Sequence, residues 1–200
     1  MSRAPRIVLT GGPGGGKSTA ADLFRREMRG KVAMVAEAAT ILFSGGFPRS
    51  QNHVALKAAQ RAIYSVQRNL EIAREAHRPD QILLCDRGTV DGSVYWPDGE
   101  LDFFESLETT LEAELGRYDA VIFFESAAVG GLAVDSGNRV RNESLVEAAA
   151  LDARLRAVWQ NHPNFTLVPH HQSFLAKIQA GLTALQAAVD LVSIRTDAPR

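Results

Sequence analysis

The sequence contains a single cysteine, Cys85, which lies within an apolar run. A lone cysteine excludes an internal disulfide and any zinc site built from several thiolates. We interpret it as a buried apolar side chain, because free cysteine behaves in proteins as a small hydrophobic residue. The lack of disulfides is consistent with a reducing compartment, and we expect a cytoplasmic protein.

Neither sign of charge is in excess, since 22 lysine and arginine residues balance 23 aspartate and glutamate residues and leave a formal net charge of -1. The whole chain therefore has no field that would attract nucleic acid or an anionic membrane, and we expect neither as a partner. Long apolar runs are also scarce, and no segment is predicted to approach the roughly 20 apolar residues that cross a bilayer. The apolar run before the first glycines is too short for the core of a signal peptide.

The remaining composition is that of an ordinary globular protein, with 46% hydrophobic residues in a chain of 200. This length suits one domain with a single sizeable core. We predict that the domain spans residues 1–192 and that 193–200 form a flexible tail.

Apolar runs and helical patterns alternate along the chain. This alternation indicates βαβ units and an α/β fold, a three-layer α/β/α sandwich around a five-stranded, mostly parallel sheet. Ligands bind such sheets at the carboxyl ends of the strands. The predicted strands are 6–10, 32–36, 81–85, 120–124 and 165–168, and the predicted helices are 18–29, 38–44, 54–77, 103–116, 145–159 and 173–192.

A glycine-rich segment after the first strand fits the pattern GxxxxGK[ST] in full. Its residues are Gly11, Gly12, Pro13, Gly14, Gly15, Gly16, Lys17 and Ser18. Glycine allows successive backbone N–H groups to converge on phosphate oxygens, and the following helix adds its positive N-terminal end. In this motif Lys17 reaches the β- and γ-phosphates, and the hydroxyl of Ser18 binds Mg2+. Thr19 offers a further hydroxyl on the side of the α-phosphate.

The motif lies between a predicted strand and a predicted helix, which is the context that distinguishes a P-loop from a flexible glycine-rich loop. We therefore predict a P-loop NTPase fold that binds Mg2+ and ATP, with ATP as a co-substrate. A dinucleotide site of the Rossmann type would leave the Lys17-Ser18 pair unexplained.

An acidic residue, Asp86, directly follows the apolar residues ILLC at the end of the third predicted strand. A carboxylate in this place, the Walker B position, lies beside the magnesium ion, so we assign Asp86 to the metal together with Ser18. Arg87 either faces a substrate anion or forms a surface salt bridge. Asp91 either caps the next helix or holds a substrate hydroxyl.

Glu37 follows the second predicted strand and would face the phosphate acceptor. There it could act as a base or as a water-bridged magnesium ligand. The alternative is a solvated acid in the first turn of the next helix, where the helix dipole favours it.

The segments TGGPGGGKST, VAE, QRAIYSVQRNLE and LLCDRGTVDG together resemble small bacterial AAA-type ATPases of the P-loop kinase lineage. These proteins are similar to ribosylnicotinamide kinases and, more distantly, to deoxynucleoside and thymidylate kinases. The resemblance covers about residues 6–170. It implies that Glu37 or Asp86 acts as the catalytic base. It also places a Gln-Arg element of the long helix near the acceptor, either Gln60-Arg61 or Gln67-Arg68.

Kinases of this lineage close a lid over the nucleotide, and the resemblance places the lid at 126–145. Arg139 and Arg141 lie in this polar, glycine-rich stretch. Lid arginines neutralise charge on the moving phosphoryl group, so we assign both to catalysis with Lys17 and Arg87. The alternative is a pair of solvated arginines on an ordinary loop. The stretch lacks the denser arginine run of many nucleoside monophosphate kinase lids.

Two functions are compatible with these residues. The first is a phosphotransferase that moves the γ-phosphate of ATP to a small hydroxylated acceptor, such as a nucleoside. The second is a slow ATPase that serves as a nucleotide-dependent switch. A kinase needs a cavity between Glu37, the long helix and the loop after Asp86, whereas a switch would fill that space with side chains. The sequence leaves the acceptor, the preference for ATP over GTP and the oligomeric state open.

Overall fold

The computed structural model describes residues 3–28, 30–130 and 145–197. Five strands in this part of the chain form one sheet in the order β2-β3-β1-β4-β5, and every neighbouring pair is parallel. The predicted α/β class and five-stranded sheet are confirmed. The strands are β1 (Arg6–Thr10), β2 (Val32–Val35), β3 (Ile82–Asp86), β4 (Ala120–Phe124) and β5 (Phe165–Val168).

Helices cover both faces of the sheet. Within the described ranges they are α1 (Lys17–Glu27), α2 (Ala38–Ser44), α3 (His53–His77), α4 (Asp91–Val94), α5 (Gly99–Ser106), α6 (Leu111–Leu115), α7 (Leu145–Trp159) and α8 (Phe174–Asp197). The long helix α3 begins where Asn52 accepts hydrogen bonds from the backbone N–H groups of Val54 and Ala55. This is the usual role of asparagine at a helix N-cap.

Alternate side chains of the central strands enter two separate cores, because successive residues of a strand point to opposite faces. Val8 and Leu83 pack on the side of α3–α7, in a core that includes Trp159. Ile7 and Leu84 pack on the opposite side against α1 and α8. Both faces of β1 and β3 are therefore covered, which explains why residues 7–9 and 82–85 are continuous apolar runs.

Cys85 is completely buried in β3, as its apolar neighbours indicate. Burial, followed by the negative charge of Glu71, raises the pKa of its thiol. The thiol is therefore a packing group in the folded protein rather than a nucleophile.

One predicted helix is wrong, because 103–116 forms two helices instead of one. The helix α5 ends at Ser106, and Glu108 adopts a left-handed backbone with φ 54°. The hydroxyl of Thr110 then caps α6 by accepting from the N–H of Ala113. Threonine at a cap competes with a continuous helix, and the apolar spacing did not reveal this break.

The predicted C-terminal tail also needs correction, because α8 continues to Asp197 instead of ending at 192. Its stretch Phe174–Ile194 is long and apolar enough to cross a membrane by length and composition, with mean hydropathy 1.2. The expectation that no segment approaches this limit is therefore wrong for α8. The helix packs against the sheet through Ile178, Leu185 and Val189, all buried, whereas Phe174, Leu175 and Ile194 are exposed. Core packing therefore explains only part of its apolar character.

Candidate active site

The P-loop joins β1 to α1 at the carboxyl edge of the sheet. Gly11, Gly14 and Gly16 have φ of 125°, 68° and 84°, values that L side chains rarely adopt. A Cβ at Gly11 would lie 2.1 Å from the carbonyl oxygen of Phe124. Glycine is therefore required both by the backbone dihedrals and by the close approach of β4.

Lys17 is the first residue of α1, and its side chain is buried in the loop. Its Nζ donates hydrogen bonds to the carbonyl oxygens of Gly11 (3.0 Å) and Gly12 (2.7 Å). The ammonium group is thus held against the backbone of the P-loop, at the position that the motif assigns to phosphate binding.

Ser18 and Asp86 lie side by side, although they come from α1 and β3. The Oγ of Ser18 is 3.4 Å from Oδ2 of Asp86. Burial raises the pKa of Asp86, and the charge of Glu37 raises it further, while Arg87 and Lys17 lower it. Thr19 is exposed on the same turn as Ser18.

Arg87 follows β3 and connects the P-loop to the acidic residues. One of its terminal nitrogens donates to the carbonyl oxygen of Gly11 (2.7 Å) and to Oδ2 of Asp91 (3.0 Å). Its Nε lies 3.4 Å from Oε1 of Glu37. The side chain is only 9% exposed, so the surface salt bridge considered from the sequence is wrong.

Asp91 orients Arg87 and joins it to the core. Its Oδ1 accepts from the hydroxyl of Thr10 (2.8 Å) and from the indole N–H of Trp159 (2.6 Å). The helix α4 begins at Asp91 itself, and Val90 is the N-cap, so the first of the two alternatives for Asp91, the capping role, is wrong. The three donors come from β1, the loop after β3 and α7, which is a tertiary arrangement that local sequence does not encode.

Asp152 is a site residue that the sequence analysis missed. This carboxylate of α7 accepts from the backbone N–H groups of Gly12 (2.7 Å) and Ser126 (2.8 Å). The hydroxyl of Ser126 donates in turn to the carbonyl oxygen of Pro13 (2.6 Å). Burial raises the pKa of Asp152, whereas the two N–H groups lower it. An acid within a predicted helix gives no signal of such a contact.

A cavity of about 800 Å³ opens between the loop after β2, the helix α3 and the loop after β3, and Arg87 in its lining contacts Gly11 of the P-loop. This is the place where the kinase hypothesis requires one. Glu37 and Arg87 line it next to the phosphate site. Its other walls combine aromatic and polar side chains, including Phe43, Gln60, Tyr64, Gln67, Tyr95, Trp96 and Arg154.

The amide of Gln67 has a fixed orientation in the cavity wall. Its Nε2 donates to Oε1 of Glu71 (3.1 Å) and to the carbonyl oxygen of Arg87 (3.2 Å). The buried Oε1 has no hydrogen-bond partner among the described residues. Of the two Gln-Arg elements considered, the one with Gln67 contacts the loop after Asp86. Gln60 also lines the cavity.

The lid assignment lies largely outside the described residues, and so do Arg139 and Arg141. The described start of this stretch contains a short 3-10 helix, Ala127–Gly130. Ser126 fixes its beginning, since its Oγ accepts from the N–H of Ala128 (3.2 Å).

The fold is similar to that of a solved nucleoside kinase. The structure of deoxyadenosine kinase from M. mycoides, with bound dATP, superposes with a TM-score of 0.62 at 12% sequence identity. The match covers 91% of this chain and 99% of that chain. At this identity the likeness shows the P-loop kinase fold alone.

No curated protein gives a significant match to the sequence. A family model described as an AAA domain, in contrast, matches residues 6–172. The chain therefore belongs to the AAA domain family, as a P-loop enzyme of the kinase or ATPase class.

Proposed function

We propose that this protein transfers the γ-phosphate of Mg-ATP to a small hydroxylated acceptor, such as a nucleoside or a related metabolite. The observation that carries the proposal is the cavity beside the P-loop, lined by Glu37 and Arg87. A volume of about 800 Å³ is sufficient for a small metabolite. An ATPase that only switches between nucleotide states has no need of it.

The P-loop would hold the triphosphate through its backbone N–H groups and through Lys17. Phosphoryl transfer has a loose transition state, so catalysis is mostly positioning and electrostatic stabilisation. Lys17 and Arg87 both supply positive charge beside Gly11, since both donate to its carbonyl oxygen. As lid residues, Arg139 and Arg141 would add further positive charge at the nucleotide.

Ser18 and Asp86 fit a magnesium ion. Their oxygens lie 3.4 Å apart, and Mg2+ prefers oxygen ligands supplied by one or two side chains together with substrate phosphates. No cluster of three or more histidine, cysteine or acidic residues suited to a metal occurs among the described residues, which agrees with this sparse set of protein ligands. Such an ion neutralises charge on the β- and γ-phosphates.

Glu37 is the better placed of the two candidate bases, because it lines the cavity whereas Asp86 does not. Its Oε1 faces Arg87 (3.4 Å), and its Oε2 accepts a hydrogen bond of 2.5 Å from Thr40. We assign the acceptor proton to Glu37 and the metal to Asp86.

Acceptor-stimulated release of ADP tests this function. Purified protein with Mg-ATP is screened against nucleosides and related hydroxylated metabolites, and phosphorylated products are identified by mass spectrometry. We expect at least one compound to raise ADP release and to appear as its phosphate ester. ATP hydrolysis that no compound stimulates, with no ester formed, would contradict the proposal and favour the switch.

A cavity-filling variant sharpens this test. Ala55 of α3 lines the cavity, so A55W should abolish phosphorylation of the acceptor while ATP binding is retained. Ala58 of the same helix is exposed, and A58W provides a control that should behave like the unmodified protein. Equal phosphorylation by both variants would show that the acceptor binds elsewhere.

The raised pKa of Asp86 predicts an unusual acid limb in the pH profile. A carboxyl with a raised pKa takes up its proton at higher pH. As the pH falls, metal binding and turnover should therefore begin to fail at a pH above the ordinary titration range of aspartate. Glu37 is the largest electrostatic cause of the shift after burial. In E37Q the acid limb of kcat/KM for Mg-ATP should therefore move to lower pH, while the maximal rate falls. An acid limb at the same pH in both proteins would contradict this coupling.

A further inference from the structure

Arg87 has a left-handed backbone conformation, with φ 79°. For a residue with a long side chain this conformation is strained, and it persists only where neighbouring groups hold it. Glycine is the residue that adopts it without cost, but glycine here would remove the guanidinium group. The conformation of Arg87 therefore needs an explanation in its contacts.

Two hydrogen bonds hold the peptide groups of Arg87. Its N–H donates to the carbonyl oxygen of Leu9 in β1 (2.9 Å), and its own carbonyl oxygen accepts from Nε2 of Gln67 (3.2 Å). The next residue, Gly88, packs so closely on Trp159 that a Cβ would lie 2.7 Å from the indole ring. The first bond continues the sheet, so the side chain of Gln67 is the additional element that fixes the turn.

The Gln67 side chain is well suited to this task, because it is 2% exposed and cannot reverse its amide. Reversal would place Oε1 against the carboxylate of Glu71 and the carbonyl of Arg87, both of which are hydrogen-bond acceptors. Glu71 is itself fully buried, and Arg6 (3.3 Å) and Tyr118 (2.9 Å) hold its carboxylate.

The direction of the Arg87 backbone decides where its guanidinium lies. In the observed conformation this group contacts the carbonyl oxygen of Gly11, Asp91 and Glu37 at the same time. A turn that relaxed to negative φ would redirect the Cα–Cβ bond and break this set. The hydrogen bond of Gln67 to the backbone of Arg87 therefore affects where the positive charge of Arg87 lies beside the phosphate site.

We propose that Gln67 is a positioning residue that holds the strained turn at Arg87 and thereby places the guanidinium between the P-loop and Glu37. This inference rests on the proposed phosphotransfer reaction. Gln67 acts through Arg87, so its contribution should disappear when the guanidinium is removed.

The proposal is tested by measuring the kinetics of Q67M both in the otherwise unmodified protein and in the R87A variant. Methionine keeps the length of the side chain and removes the donor. We expect kcat to fall roughly tenfold with little change in the KM for ATP, and we expect no further fall when Q67M is added to R87A. If Q67M folds poorly, Q67N gives the same comparison, because its side chain is one methylene shorter and its amide lies farther from the carbonyl oxygen of Arg87. N69A, which removes an exposed amide of the same helix, should leave all constants unchanged.

Additive effects of Q67M and R87A would overturn the proposal. A rise in the KM for the acceptor that persists in the R87A background would also overturn it, because it would show that Oε1 of Gln67 acts on the acceptor directly. The backbone of Arg87 in a crystal structure of the Q67M variant gives a readout that needs no turnover. If no compound is phosphorylated, the proposed function fails, and the crystal structure then decides this inference alone. Loss of the left-handed conformation of Arg87 in Q67M would support the inference, and its retention would overturn it.

Discussion

Replacement of Lys17 by alanine is expected to abolish turnover of Mg-ATP, with a loss of kcat/KM of about a thousandfold or more. The side chain is buried in the P-loop, and its ammonium group is the charge that the motif directs at the β- and γ-phosphates. The triphosphate would lose this charge in a site that water screens poorly. Nucleotide binding by calorimetry and release of ADP both measure the effect.

The matched control for this experiment is K31A. Lys31 is an exposed lysine just before β2, away from the phosphate site, so its removal should change neither binding nor turnover. Intact nucleotide affinity and activity in K17A would contradict the assignment of the P-loop as the donor site.

Replacement of Asp86 by asparagine is expected to reduce turnover about a hundredfold or more while nucleotide affinity changes only severalfold. Asparagine keeps the shape of the side chain beside Ser18 but removes the charge that would hold the metal. Most of the nucleotide affinity should come from the P-loop, which this change leaves intact. The dissociation constant for ATP and kcat, each measured over a range of Mg2+ concentrations, separate the two effects.

D80N is the control for the charge change, because Asp80 is exposed in the turn before β3. This variant should bind nucleotide and turn it over normally. Equal losses of affinity and turnover in D86N would instead show that Asp86 has a structural role.

The P-loop and the acids after the strands were predictable because their signals are local. Gly11–Ser18 form a continuous motif, and Glu37 and Asp86 come directly after apolar runs whose carboxyl ends meet at one edge of a parallel sheet. The cavity itself was not predicted, because the sequence left open whether the space between Glu37, the long helix and the loop after Asp86 is empty or filled by side chains.

The contacts that support the site were not predictable, because they depend on where along the sheet each helix packs. Asp152 reaches Gly12 across 140 positions of sequence, and Trp159 reaches Asp91 across 68. Nothing in the local pattern distinguishes these side chains from ordinary members of a helix. The two-part helix over 99–115 escaped detection for a different reason, since a cap at Thr110 outweighed a continuous apolar spacing.

The lone buried thiol offers a built-in reporter of core opening. Cys85 precedes Asp86 in β3, and its side chain is buried in the core between the sheet and helices α3–α7, so a thiol reagent can reach it only when that core opens. The rate of chemical labelling therefore measures how often the core next to Asp86 opens. Any molecule that binds only the closed protein slows labelling in proportion to its occupancy, so affinities can be ranked before a single turnover has been recorded.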